Sequence, residues 1–326
     1  MRKLLLICAA SLGTLAAAFG QTFNVTSPTE GAFLGQSNQV KFTIRGAEQE
    51  VRVRVRATGP AGTTEIEQRF SPNVDGEIDN QSITLNFSES SPEGDYVIEV
   101  SATEPGKTYP VITRNVIVDV VKPKFLTYSP LPNAFVSGIV PIRVQLDEPN
   151  VQEWRVQINN QDIPNNTGVS QQFIVNWNTA GILNDGNQTI TIKVKDKAEN
   201  EASQTISVTL DRVPPVISIQ YPRTTSDIIP NTDFPVVVDI TDGSQGSVDV
   251  TGIDVVIQNM NGQFLARVTR TSFRTIGSTV RWSGTVRMRR ISLPTTFKLV
   301  VTAVDRAGNS GVPQEVVLST GRGRGR

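Results

Sequence analysis

A chain of 326 residues with 31 basic and 31 acidic side chains and no histidine has no Ser-His-Asp or Cys-His catalysis and no histidine-ligated metal centre open to it. Its one cysteine, Cys8, falls inside an N-terminal apolar run, so the mature chain is expected to carry no disulfide. The formal net charge is zero, and nucleic acid is not an expected partner.

Arg2-Lys3, the apolar stretch from Leu4 to Leu15 and the small residues Ala16-Ala17-Ala18 before Phe19-Gly20 have the order of a secretory signal peptide cleaved ahead of Gln21. No later run of about 20 apolar residues follows, so no transmembrane segment is expected in the mature chain. The expected location is periplasmic, cell-surface or secreted.

The remainder repeats, which is the first thing to establish in a long chain. Phe23-Asn24-Val25-Thr26-Ser27-Pro28 recurs as Phe125 to Pro130 and again as Ile217 to Pro222. Each is a short extended run ended by proline, which suits an edge strand. The spacing D-x-V-x-P recurs at Asp119–Pro123 and Asp211–Pro215. Proline fixes φ and disfavours helix in the residue before it, so both junctions are expected to be short, stiff connectors. The predicted organisation is a signal peptide at 1–20, domains at 21–121, 122–212 and 213–320, and a flexible Gly-Arg tail at 321–326.

Within each domain the apolar residues alternate. Val51, Val53 and Val55 face away from Arg52, Arg54 and Arg56. Val140, Ile142, Val144 and Leu146 form one face in the second domain, with Trp154, Val156 and Ile158 on another strand. In the third, Val236, Val238 and Ile240 precede Ile253, Val255 and Ile257, and Asn261-Gly262 marks a hairpin turn before Phe264. Asp185-Gly186 opens a strand carrying Ile190, Ile192 and Val194, closed by a turn from Asp196 to Asn200. A variant ends at Asp305-Arg306-Ala307-Gly308-Asn309, and a looser one runs from Glu93 to Gly106. No stretch keeps a 3.6-residue apolar period, so the expected fold is all-β, three tandem sandwiches of short strands.

One strand earlier stands an aromatic: Phe87, Trp177 or Trp282. A Trp, a loop, Asp-Gly, an alternating strand and Asp-x-Ala-Gly-Asn resemble the bacterial immunoglobulin-like domains found in tandem on secreted and cell-surface proteins. Residues 124–320 match best. In the first domain Phe87 and Glu104 replace Trp and Asp, Gln188 stands where Tyr96 and Phe297 stand, and Asn200 follows Glu199 where the pattern has Gly. The resemblance implies a fold, and a sandwich hosts many functions.

No G-x-S-x-G or S-x-x-K motif occurs, and the carboxylate pairs Glu65/Glu67 and Asp147/Glu148 have nothing to mark them as buried. No enzyme is expected. Trp177 and Trp282 could stack on sugar, but Trp282 shares parity with Val280, Val286 and Met288, which places it in a core. Asp119 and Asp211, just before the junctions, are the candidate Ca²⁺ ligands. There is no D-x-D-x-D-G loop, and turn aspartates such as Asp196 and Asp305 commonly bond their own backbone. No bound cofactor is therefore expected.

Charge is unevenly spread. Residues 21–121 hold 8 basic and 14 acidic residues, 122–212 hold 8 and 9, and 213–326 hold 13 and 8. Between Asp254 and Asp305 there is no acidic residue, and Arg281, Arg287 and Arg289 share one strand face. Arginine suits bidentate capture of phosphate or carboxylate, so Arg267, Arg281, Arg287 and Arg289 are the candidate partner-binding residues. The expectation is a non-enzymatic structural or adhesive rod in the cell envelope. It would contact an envelope protein or an anionic surface polymer, or associate head to tail with itself. The alternative is a module recognising anionic glycan or lipopolysaccharide through the third domain.

Overall fold

A computed structural model describes residues 21–320 except Ala61, 230–231, 244–246 and 289–292. The predicted signal peptide, the Gly-Arg tail and Arg289 lie outside the described residues. Those described form no α-helix and fall into two compact units, 21–122 with 196–200, and 123–195 with 201–320. There are three hydrophobic cores: Phe23–Val120, Val136–Val208 and Ile217–Leu318.

The first unit packs two sheets face to face. One has the order Thr22–Ser27, Ser37–Arg45, Glu77–Asn86; the other Phe33–Leu34, Ile112–Val118, Gly94–Glu104, Val51–Gly59, Gly62–Phe70. Period-2 alternation decides which side of each strand is buried. Val51, Val53 and Val55 are fully buried, while Arg52, Arg54 and Arg56 stand outside. The outer face carries a ladder of exposed ion pairs, Arg52–Glu67 at 3.1 Å, Arg54–Glu65 at 3.2 Å and Arg56–Glu99 at 3.6 Å. Each such pair contributes about 0.2–1 kcal/mol. Glu65 and Glu67 are thus held by arginines on an exposed edge strand.

Tyr96 is buried near the start of its strand and donates its hydroxyl to the Pro92 carbonyl at 2.9 Å. This is the corner that immunoglobulin-like sandwiches place there. The second domain has Gln188 at this position, and its Nε2 donates to the Asn184 carbonyl, likewise four residues back, at 3.3 Å. A different side chain fills the same structural role. Tyr96→Phe should cost about 1–2 kcal/mol in urea unfolding, the loss of one part-buried hydrogen bond.

The second unit holds two sandwiches. The first pairs Lys124–Ser129, Ile139–Asp147 and Gln172–Asn178 in one sheet. The facing sheet runs Phe135–Val136, Glu201–Leu210, Gly186–Asp196, Val151–Ile158, Gln161–Gly168. Trp177 is 2% exposed in its core, and Trp154 stacks on Phe173 with centroids 3.9 Å apart. The last sandwich sets Val216–Tyr221, Phe234–Thr241, Thr279–Val286, Thr269–Ile276 against Phe264–Arg267, Asp254–Gln258, Thr296–Thr302, Gln314–Ser319. That is the A-B-E-D and C-F-G arrangement of an immunoglobulin-like domain with one extra strand beside C.

The three runs ended by proline all lie at sheet edges, each with one register shift, between Val25 and Ser27, Phe125 and Thr127, and Ile219 and Tyr221. The Asn261-Gly262 turn is present, with Gly262 at φ 81° and Asn259 Oδ1 accepting from the Asn261 and Gln263 amides.

Candidate functional site

Three aspartates meet in the second unit. Asp211 directly follows the strand Glu201–Leu210 and is anchored by its amide donating to the Val136 carbonyl at 3.0 Å. Asp242 directly follows Phe234–Thr241, its amide donating to the Ser278 carbonyl at 3.2 Å. Asp305 opens the turn that ends at Asn309. There Gly308, at φ 88°, takes the left-handed conformation that the Asp-x-Ala-Gly-Asn sequence provides for. The Asp305 carboxylate accepts from the Asn309 amide at 2.8 Å through Oδ1 and from Asn309 Nδ2 at 2.7 Å through Oδ2. Asn309 Nδ2 also donates to the Asp211 carbonyl at 2.8 Å, which ties the turn to the end of the preceding sandwich.

Asp211, Asp242 and Asp305 are 0%, 1% and 3% exposed. One carboxylate oxygen from each lies within 4.8 Å of the others. Asp211 Oδ1 accepts from the Val213 amide at 3.1 Å, whereas its buried Oδ2 has no hydrogen-bond partner. Among the described residues, no lysine or arginine pairs with Asp211 or Asp305. A buried charged group without a partner is costly, because it gives up its hydration.

The expectation that turn aspartates bond their own backbone holds at Asp305 and at Asp196, whose Oδ1 accepts from the Ala198 and Asn200 amides at 2.8 and 2.9 Å. In the first unit Asn200 Nδ2 donates to the Asp119 carbonyl at 3.0 Å, the counterpart of Asn309 on Asp211. Sequence reasoning passed over Asp242. Asp242-Gly243 follows its apolar strand as Glu148-Pro149 follows Ile139–Asp147. Glu148 itself, which nothing in the sequence marked as buried, is 5% exposed and accepts from the Asn150 amide at 2.6 Å.

The basic candidates are placed differently. Arg281 faces Asp239 across the sheet and grips it with two hydrogen bonds of 2.8 Å, which push its guanidinium further above its usual pKa. Arg267 pairs with Asp254 through Nε at 2.8 Å. Arg287 is exposed and has no ion pair among the described residues. Arg267 and Arg287 line one crevice of about 320 Å³ with Thr269 and Thr285. Trp282 points the other way, 2% exposed in the core.

No family model matches the chain, and no curated protein matches it. Solved structures do. Fibronectin(III)-like modules of Clostridium thermocellum CbhA are 10% identical, with a TM-score of 0.41 over 60% of this chain and 93% of theirs. An I-band fragment of titin is 11% identical, with a TM-score of 0.36 over 93% of this chain and 98% of its own. A 1.5-MDa bacterial ice-binding adhesin is 15% identical, with a TM-score of 0.30 over 92% of this chain and 96% of that structure. The likeness is one of fold, to tandem immunoglobulin-like and fibronectin-like sandwiches.

Proposed function

We propose that the protein is exported and works without catalysis, as immunoglobulin-like sandwiches in series that space and present a binding surface in the cell envelope. The observation that supports this reading most is the distribution of chemistry-bearing side chains. The carboxylates Glu65 and Glu67 are tied up by arginines on an open sheet face, and Trp177 and Trp282 are packed in cores. What the surface offers a partner is charge and sheet face. Fractionation of the producing cells should find the mature chain, beginning at Gln21, in an exported fraction. A chain retaining Met1 in the cytoplasm would defeat the reading.

A second reading, recognition of an anionic glycan or lipopolysaccharide by the third domain, draws on Arg287 and its crevice. It predicts retention on lipopolysaccharide or teichoic-type polymers that weakens steeply with salt, since exposed charges are screened beyond ~8–10 Å at physiological ionic strength. Arg287→Glu should reduce that retention several-fold. Arg281→Glu is a poor test, because it sets a second carboxylate opposite Asp239 and destabilises the sheet. Equal retention of wild type and Arg287→Glu would remove this reading.

A further inference from the structure

We propose that Asp211, Asp242 and Asp305 form a site for a hard divalent cation, Ca²⁺ in preference to Mg²⁺. The inference stands apart from export and adhesion, and rests on three features. The donors are all carboxylate oxygens, the ligand class of Ca²⁺ and Mg²⁺. They converge: one oxygen from each lies within 4.8 Å of the others, no more than the span across one ion at Ca–O distances of about 2.3–2.6 Å, and three buried carboxylates suit Ca²⁺ better than Mg²⁺, which usually keeps several waters and takes one or two carboxylates. Finally, Asp211 Oδ2 is buried with no hydrogen-bond partner. A native interior does not commonly leave a carboxylate oxygen in that state, and a coordinated cation satisfies it.

The surrounding structure fixes the donors before any ion arrives. Asn309 holds the Asp305 carboxylate and the Asp211 carbonyl together, the Val213 amide orients the Asp211 carboxylate from its other oxygen, and the Asp242 amide is bound to the Ser278 carbonyl. A dication would convert three clustered negative charges into a cross-link. It would join the end of the strand Glu201–Leu210 to the loop after Phe234–Thr241 and to the Asp305–Asn309 turn. The connection between the two sandwiches of the second unit would then tighten with calcium.

The test uses the full mature chain, stripped with chelator and titrated with CaCl₂ and separately with MgCl₂ by calorimetry, alongside thermal unfolding in each ion and in EDTA. Wild type should bind Ca²⁺ with a midpoint of unfolding that rises with free Ca²⁺, because an ion that binds only the folded state stabilises it by mass action. Asp211→Asn keeps the oxygen that accepts from Val213 and removes one charge. It should lower the calcium stoichiometry by one and be at least as stable as wild type in EDTA, where the clustered charges repel. If Asp211→Asn does not fold, Asp242→Asn carries the same expectation. Absence of calcium heat together with identical melting in EDTA and Ca²⁺ would overturn the proposal. Unchanged stoichiometry in the variant would do the same, because binding would then lie elsewhere. A response to Mg²⁺ with none to Ca²⁺ would overturn the choice of ion.

Discussion

Trp282→Ala should lower the stability of the last sandwich by about 3–5 kcal/mol, the usual cost of removing a large buried aromatic. The indole is 2% exposed, lies opposite Val238 on one neighbouring strand and Phe273 on the other, and covers Gly284. A Cβ at Gly284 would sit 2.4 Å from the ring, and glycine has no side chain to move into the space the ring leaves. A domain is stable by only about 5–15 kcal/mol, so this one residue carries a large share. With a urea m-value of about 2 kcal/mol/M, the midpoint should fall by about 2 M. The chain has three tryptophans, so fluorescence of the variant reports only Trp154 and Trp177, both in the preceding sandwich. Fluorescence should keep its original midpoint while circular dichroism gains an earlier transition. A single unshifted transition by both probes would show that the ring contributes little to the core.

Period and repeat were the parts of this structure written most openly in the sequence. Val51, Val53 and Val55 alternate strictly with arginine, and burial follows that alternation because a strand has only two sides. Trp282 was placed in the core by parity with Val280 and Val286 for the same reason. What depends on register was hidden. Between Asp254 and Asp305 there is no acid, yet Arg281 meets Asp239, 42 residues away in sequence, because antiparallel pairing sets the two opposite each other. Linear charge counting cannot see such a partner. The three-aspartate cluster was half legible. Asp211 and Asp305 stood out through junction and turn motifs, but Asp242 comes from a loop that only the folded chain brings to them. Burial of Glu148 was invisible for a related reason, since a carboxylate after a strand reads as solvated unless its surroundings are known.

Glu104 should make the first domain acid-sensitive. Its side chain is 1% exposed, and Oε2 accepts from the Glu48 and Gln49 amides at 3.0 and 2.9 Å. Oε1 accepts from the Tyr109 hydroxyl at 3.2 Å, with Lys107 Nζ 3.5 Å away. Burial pushes this carboxyl upward, but the two amides, the tyrosine and the lysine together outweigh it and hold it below its ordinary value of 4.5. A folded-state value below the unfolded one means stability that is present above about pH 4.5 and is lost as pH falls through the folded value. The tyrosine behaves oppositely. Burial first, then the Glu104 charge, push the Tyr109 hydroxyl up to about 12, so its contribution is present below pH ~10 and is lost as pH rises toward 12. Glu104→Gln keeps an acceptor for the amides but removes the charge that strengthens those bonds. It should cost about 2–3 kcal/mol at pH 7. Urea midpoints of wild type and Glu104→Gln should converge as pH falls from 4.5 through the folded value, where the wild-type carboxyl becomes protonated too. A gap that stays constant from pH 7 down to the onset of acid unfolding would mean that shape, and not charge, is what Glu104 contributes.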